Sequence, residues 1–385
     1  MKVGIFTEVF YPEISGVATA CLELKEGLEE AGHEVFVFTV TNHEADAEWD
    51  LQNHVYRVLS IPFVLFDERR IGLPLLSSIM QTIEDLNLDI IHTQSEFSLG
   101  ALGRRAAKKF NIPMLHTYHT LYEEYLHYLK LQKNELTINL VGKFVENFTK
   151  HSYAIICPSQ KTKDALLSYG IKNKIYIIPT GIDLKKFKNF DSVKVETIKK
   201  KYHIKDQSVI LISVSRLSDE KRLNVLLDYF YEYLQNNPDK DISLIIAGDG
   251  PDKEKLKQQS ENLKIADKVI FTGYIEWQNV QNYYQASDIF VSASKSETQG
   301  LTYLEALAAN IPILAQKDPC LNHLLIDGKN GKAFDNRETF AAGLDYLINQ
   351  VKFNAEFKPS DNLYTRNDFI EQILDVYEQA IENNI

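Results

Sequence analysis

The first half of the chain alternates short runs of consecutive apolar residues with longer stretches in which apolar positions recur every three or four residues. The runs Lys2–Thr7, Glu34–Val40, Asp89–Thr93, Met114–Thr117 and Tyr153–Cys157 predict buried strands. Val17–Ala31, Pro74–Asn87, Ser98–Phe110 and Ser159–Tyr169 predict helices between them. Gly32 and Gly170 stand where helices stop. A second series follows, with strands at Val209–Val214, Ile242–Ala247, Val269–Phe271, Ile289–Ser292 and Ile313–Ala315. Its helices are Leu223–Leu234, Asp252–Lys264, Val280–Gln285 and Leu301–Ala309. Strand–helix alternation implies parallel sheets with helices on both faces.

Two α/β series in 385 residues predict two doubly wound, Rossmann-like domains facing a central cleft. The expected boundaries are 1–184 and 185–366, with a linker in Pro179–Phe190. A last amphipathic helix, Asn367–Glu382, has no strand after it, so residues 367–385 are expected to pack back on the first domain.

Composition changes this picture little. Hydrophobic residues are 44% and charged residues 25%, as in ordinary globular chains. Cys21, Cys157 and Cys320 are scattered and odd in number, which disfavours a disulfide framework or a zinc site. The N-terminus reads as a strand and a turn rather than a signal peptide, and no apolar run is long enough for a transmembrane helix. Net charge is −11, which argues against nucleic acid as a partner. Residues 98–180 nevertheless hold twelve Lys/Arg against five Asp/Glu, a local excess of +7.

In doubly wound sheets ligands bind beyond the carboxyl ends of strands. Three loops there carry candidate chemistry. The segment Ser294–Leu314 passes from strand to polar loop to helix, and the amides at that helix start favour an anion. Gly300 permits close backbone approach. Glu297 and Glu305 flank this point and would accept from sugar or ribose hydroxyls. On local grounds they also read as a solvated loop residue and a surface helix residue. Arg216 and Lys221 follow the strand ILISVS and could neutralise a leaving diphosphate, or pair with Asp219 and Glu220 on the surface. The turn AGDGP holds Gly248 and Gly250, near a ligand or as a plain turn. His119, in LHTYHTLYEEY, is a catalyst or a structural hydrogen-bonder.

The order and spacing of Arg216…Lys221, Gly248–Pro251 and Glu297-x7-Glu305 resemble retaining glycosyltransferase family 4, which has the two-domain GT-B fold. The resemblance covers nearly the whole chain. It implies that Glu297 holds donor-sugar hydroxyls, that Thr298 to Leu301 meet sugar and diphosphate, and that Glu305 binds ribose. It gives the diphosphate to Arg216 and Lys221, with Gly16 approaching it from the first domain. Gly248 joins the donor site, Tyr274 and Ile275 contact the base, and His119 lies beside the donor sugar. His119, Arg216, Lys221 and Glu297 are the expected catalytic set. Domain closure over the donor follows from a site split between domains.

The first domain, through TEVFYPEISGVAT, RVLSIPFVLFDERR, IIHTQSEFSLG and IIPTGID, resembles bacterial diacylglycerol glucosyltransferases. That implies UDP-glucose as donor, diacylglycerol as acceptor and a monotopic place on an anionic membrane surface, at its cytoplasmic side. Many such enzymes carry Asp where this chain has Glu8. Tyr122, Tyr125, Tyr128, Leu129, Phe144 and Phe148, with Lys130, Lys133, Lys143 and Lys150, could form a basic aromatic surface for acceptor or membrane, or an ordinary helix pair.

The retaining step expected is a same-face substitution, with the leaving diphosphate oxygen taking the acceptor proton. No metal or bound cofactor is expected, since no His/Cys/Asp cluster has ligand spacing, though stimulation by a divalent cation stays open. No Gly-x-Gly-x-x-Gly follows a strand, which disfavours an NAD-dependent oxidoreductase. A glycosyltransferase for polysaccharide or protein acceptors, or a non-catalytic sugar-nucleotide binder, remains an alternative.

Overall fold

Apolar runs such as Val3–Phe6 and Val35–Val40 are buried residue after residue because both faces of their strands are covered. A computed structural model describes the whole chain except residues 14, 43, 64–65, 74–75, 125, 127–131, 133, 206, 323, 355–356, 361–362 and 384–385. The chain divides into two units, Met1–Gly181 with Tyr364–Ile385, and Ile182–Leu363.

In the first unit the strands are β1 (Lys2–Phe6), β2 (Glu34–Val40), β3 (Val55–Val58), β4 (Ser60–Phe63), β5 (Phe66–Gly72), β6 (Ile90–Thr93), β7 (Met114–Thr117), β8 (Ala154–Cys157) and β9 (Lys174–Ile177). Seven form one parallel sheet in the order β3-β2-β1-β6-β7-β8-β9, and β4 and β5 form an antiparallel hairpin. The order reverses between β1 and β6, where Phe6 lies opposite Thr93. The core stacks Phe6 on Phe38, with centroids 4.6 Å apart, beneath Ile83, Leu99 and Leu102.

The second unit holds β10 (Val209–Val214), β11 (Ile242–Ala247), β12 (Val269–Gly273), β13 (Ile289–Ser292), β14 (Ile313–Gln316) and β15 (Gly331–Phe334). They form a parallel sheet in the order β12-β11-β10-β13-β14-β15, reversing between β10 and β13. Each reversal opens a crevice at the strand ends where a ligand can enter.

Several elements are absent from the sequence reading. The strands β3, β9 and β15 lie at sheet edges and are only partly buried, so they carry no unbroken apolar run. Pro62 lies inside β4, as an isolated hairpin strand allows. The helices Glu135–Thr149 and Arg337–Phe353 begin with capping boxes at Asn134 and Asn336, each paired with a threonine at N3.

The C-terminal helix Arg366–Glu382 packs on the helix Gly16–Glu30 within the first unit. Gly27 allows it, since a Cβ there would lie 2.5 Å from the Ile370 side chain.

Candidate functional site

In the second unit the expected donor residues gather at the β10/β13 reversal. After β10, Lys221 closes a short turn by donating its backbone N–H to the Ser218 carbonyl at 3.0 Å. After β13, the loop reaches back, with the Ser296 hydroxyl donating to the Glu220 carbonyl at 3.3 Å. These contacts place Lys221 Nζ 2.7 Å from Glu297 Oε1, both side chains less than one-fifth exposed. Arg216 lies in the same β10 loop and is partly buried. A fixed cation beside a carboxylate at a strand end suits a ligand that carries both negative charge and hydroxyls.

Gly300 caps the helix Leu301–Ala308 with φ +81°, and a Cβ there would fall 2.2 Å from Tyr303 Cδ2. Of the first-turn amides behind it, that of Tyr303 donates to the Gly300 carbonyl at 3.0 Å, while those of Leu301 and Thr302 lie where a helix offers no acceptor of its own. Gly300→Ala is expected to misalign this turn and to cost about 1–2 kcal/mol through the left-handed backbone alone. Titration calorimetry with UDP should show weakened binding; unchanged affinity would remove the turn from the donor site. Thr298 lies in the loop before Gly300, and Leu301 opens the helix.

Glu305 is not on the surface. It is 6% exposed, and Oε2 accepts from the Tyr284 hydroxyl at 2.8 Å. Burial raises its carboxyl above the usual range, against the Tyr284 hydrogen bond and the charge of Lys186. Lys186 is held by the Trp277 carbonyl at 2.8 Å. Tyr274 is 52% exposed, and Ile275 packs against the core that includes Tyr284 and Tyr303. The glycine at 248 answers a different demand from the one its sequence suggests. Its φ is +141°, and a Cβ would meet the Ser215 carbonyl at 1.9 Å. That close approach locks the β11 loop onto the β10 loop, with the Leu217 amide donating to Asp249 O at 2.9 Å.

One Asp-x-Asp triplet occurs in the sequence, Asp239-Lys240-Asp241. It precedes β11, at the amino end of the strand, and Asp241 is paired with Lys268 at 3.0 Å. These groups hold its carboxyl down, at about 2, chiefly through Lys268 and Ser208. Among the described residues no group of three His, Cys, Asp or Glu could hold a metal ion.

The first unit builds a polar cluster at the carboxyl ends of β1, β6 and β7. Glu8 is buried and accepts from the hydroxyls of Ser95 and Ser98 and from the Leu99 amide. Burial outweighs these bonds and raises its carboxyl. His116 is buried between Thr93 Oγ1 at 2.9 Å and Glu96 Oε1 at 3.1 Å. Tyr122 donates its phenol to Glu96, so it belongs to this cluster rather than to an outer aromatic surface. Phe148, also expected on that surface, is buried against His116. Tyr125, Tyr128, Leu129, Lys130 and Lys133 lie outside the described residues. Gly16 is exposed at the start of the helix Gly16–Glu30, with nothing within 4 Å of a Cβ.

His119 Nε2 lies 2.7 Å from Gln94 Oε1. Burial, then the neighbouring His116, lowers His119 from 6.5 to about 3. The ring is therefore neutral, with its proton on Nε2 facing the amide oxygen and Nδ1 left as an acceptor. An unfolded His119 takes up a proton below about pH 6.5, whereas the folded one resists until about pH 3. Its contribution to stability is thus complete above pH 6.5 and falls as pH drops through that window. His92, clamped between Tyr377 and Thr117, adds to the same trend. Urea midpoints at about pH 7 and about pH 4.5 should show the loss, and His119→Gln should reduce it. Gln94, Glu96 and Ser95 went unread because a polar run after a strand carries no role until its neighbours are known.

The family model for glycosyltransferase family 4 matches residues 14–186, and that for glycosyl transferases group 1 matches residues 194–361. An alpha-monoglucosyldiacylglycerol synthase of Streptococcus pneumoniae is 40% identical over 390 residues, spanning 100% of this chain and 87% of that protein. One of Acholeplasma laidlawii is 34% identical over 400 residues, spanning 100% and 98%. Among solved structures, Anabaena HepE in complex with UDP superposes with a TM-score of 0.76 at 18% identity, covering 98% of this chain and 100% of that one. That likeness establishes the GT-B fold for the two Rossmann-like units. With both halves matched and relatives alike from end to end, this chain is a glycosyltransferase and belongs to glycosyltransferase family 4.

Proposed function

We propose that the protein transfers glucose from UDP-glucose to the free hydroxyl of 1,2-diacylglycerol, with retention, giving alpha-monoglucosyldiacylglycerol. The observation that carries this reading is the full-length similarity to two alpha-monoglucosyldiacylglycerol synthases. The second unit supplies the donor side. Lys221 and Arg216 neutralise the diphosphate, Glu297 accepts from sugar hydroxyls, and Glu305 accepts from ribose. Tyr274 and Ile275 meet the base, and the Thr298–Leu301 backbone meets the phosphates. The Lys221–Glu297 pair supports this division, because each partner can be taken over by one part of a nucleotide sugar.

On the first unit, neutral His119 is the residue assigned to the donor sugar and Gly16 the one assigned to the diphosphate. The acceptor proton passes to the leaving diphosphate oxygen in a same-face substitution. No helix among the described residues is long and apolar enough to cross a membrane. The enzyme works as a peripheral protein on the cytoplasmic side of an anionic membrane, where its acceptor is dissolved.

The test is incubation with UDP-glucose and diacylglycerol in anionic lipid micelles, followed by NMR of the product. An alpha-glucosyl lipid is expected. Donor hydrolysis without glycolipid would overturn the acceptor, and a beta linkage would overturn retention.

A further inference from the structure

Gln94 follows β6 directly, and its backbone is fixed by the N–H it donates to the Phe6 carbonyl of β1 at 2.8 Å. His119 stands two residues beyond β7, after Tyr118, whose N–H donates to the Ile156 carbonyl of β8 at 2.8 Å. Both side chains thus leave anchored backbone at the carboxyl ends of neighbouring strands, and they meet with His119 Nε2 2.7 Å from Gln94 Oε1. An amide oxygen only accepts, so this bond sets the ring proton on Nε2 and makes Nδ1 an acceptor.

The other half of the Gln94 amide is not used. Gln94 is 4% exposed, and its Nε2 has no hydrogen-bond partner among the described residues. A buried N–H in that state is costly unless a ligand accepts from it. Packing alone does not call for glutamine here, since methionine of similar volume brings no donor to orphan.

The polar groups nearby are engaged elsewhere. Glu8 accepts from the Ser95 and Ser98 hydroxyls and the Leu99 amide. Glu96 is taken up by His116 and Tyr122, and His92 by Tyr377 and Thr117. Gln94 and His119 therefore offer an unused donor and an acceptor on a pair without net charge, the ring being neutral at physiological pH. Such a pair suits hydroxyls, each of which both gives and takes a hydrogen bond. It does not suit a phosphate, whose oxygens only accept.

We propose that Gln94 recognises the donor sugar: its Nε2 donates to one sugar hydroxyl, and its Oε1 holds His119 so that Nδ1 accepts from another. The proposal rests on the reading of UDP-glucose as donor and adds to it the residue that reads the sugar's hydroxyls.

The experiment compares wild type, Gln94→Leu and Gln94→Glu on UDP-glucose and on UDP-deoxyglucoses that each lack one hydroxyl. Gln94→Leu should lose roughly tenfold to a hundredfold in kcat/KM on UDP-glucose, as when a buried partner is left unpaired. Wild type should lose about as much on the deoxy donors that lack a partnered hydroxyl, and there Gln94→Leu should lose little more. Gln94→Glu keeps the shape and the acceptor but places a carboxylate beside the ring, which favours the imidazolium and puts a proton on Nδ1. Its rate should fall as pH drops from about 8 to about 6, a loss that wild type lacks. The titratable groups nearest the ring, His116 and His92, with Glu96 behind His116, are the same in both proteins. Nitrogen-15 NMR, with His119 assigned from its absence in His119→Gln, should find the proton on Nε2 in wild type and on both nitrogens in Gln94→Glu at the lower pH.

A proton on Nδ1 in the wild type would overturn the assignment. So would a loss in Gln94→Leu that is equal on every donor, because a purely structural role does not depend on which hydroxyl is present. If no glucolipid forms, hydrolysis of the same donors takes the place of transfer, so a failed acceptor is not mistaken for a failed Gln94. UDP-glucose neither transferred nor hydrolysed would sink the donor reading and the sugar recognition with it.

Discussion

Lys221→Ala is expected to lower the rate of glucosyl transfer by about a hundredfold, the loss usually seen when one preorganised electrostatic partner of a developing charge is removed, on the order of 3 kcal/mol. Arg216→Ala should lose at least as much. The two variants differ in a measurable way. Lys221 Nζ also holds Glu297 at 2.7 Å, so its removal leaves a carboxylate beside an incoming diphosphate, and donor KM should rise along with the fall in kcat. Pairing Lys221→Ala with Glu297→Gln should restore part of the KM and none of the kcat. Steady-state rates over a range of UDP-glucose concentrations separate these terms. Near-wild-type turnover in both Lys221→Ala and Arg216→Ala would remove the diphosphate role from the β10 loop.

Arg366→Ala should produce the largest loss of stability. Its guanidinium is buried at the start of the C-terminal helix and reaches three carboxylates of the helix Gly16–Glu30: Glu23 and Glu26 at 2.6 Å and Glu30 at 2.9 Å. Glu23 is itself 1% exposed. Deleting the guanidinium breaks its ion pair with the buried Glu23, and breaking a buried pair from one side costs roughly 3–5 kcal/mol. Urea unfolding followed by circular dichroism should show an earlier transition for the first unit. Arg366→Met with Glu23→Leu should recover much of it, because an apolar pair of similar volume has no charge to strand. A midpoint unchanged in Arg366→Ala would mean that the C-terminal helix is held by Ile370, Ile373 and Tyr377 alone.

The strands and helices that alternate along both halves are legible because burial on two faces forces consecutive apolar residues, and burial on one face forces a three-to-four spacing. The loops after β10 and β13 are legible for a related reason, since Arg216, Lys221 and Glu297 lie in polar stretches that follow strand endings; the donor role proposed for them comes from the family resemblance. Edge strands such as β9 and β15 are not, since they are only partly buried and carry polar residues among their apolar ones. The hairpin β4–β5 is hidden by Pro62. Tyr122 and Phe148 read as surface aromatics because composition cannot say which side of a helix or loop meets the core.

By itself, then, the sequence determined the two α/β units, the polar loops that follow β10 and β13 and the excess of cations between residues 98 and 180. Local periodicity and strand-end chemistry suffice for each. The tertiary structure alone decided which of these groups act together. Lys221 and Glu297 are 76 residues apart and meet because the sheet reverses between β10 and β13. Glu8, Ser95, Glu96, His116 and Tyr122 converge because β1, β6 and β7 are neighbours. Burial of Glu305 and the neutrality of His119 come from the same source, since the solvation of a charge depends on everything packed around it and not on the residues beside it in the chain.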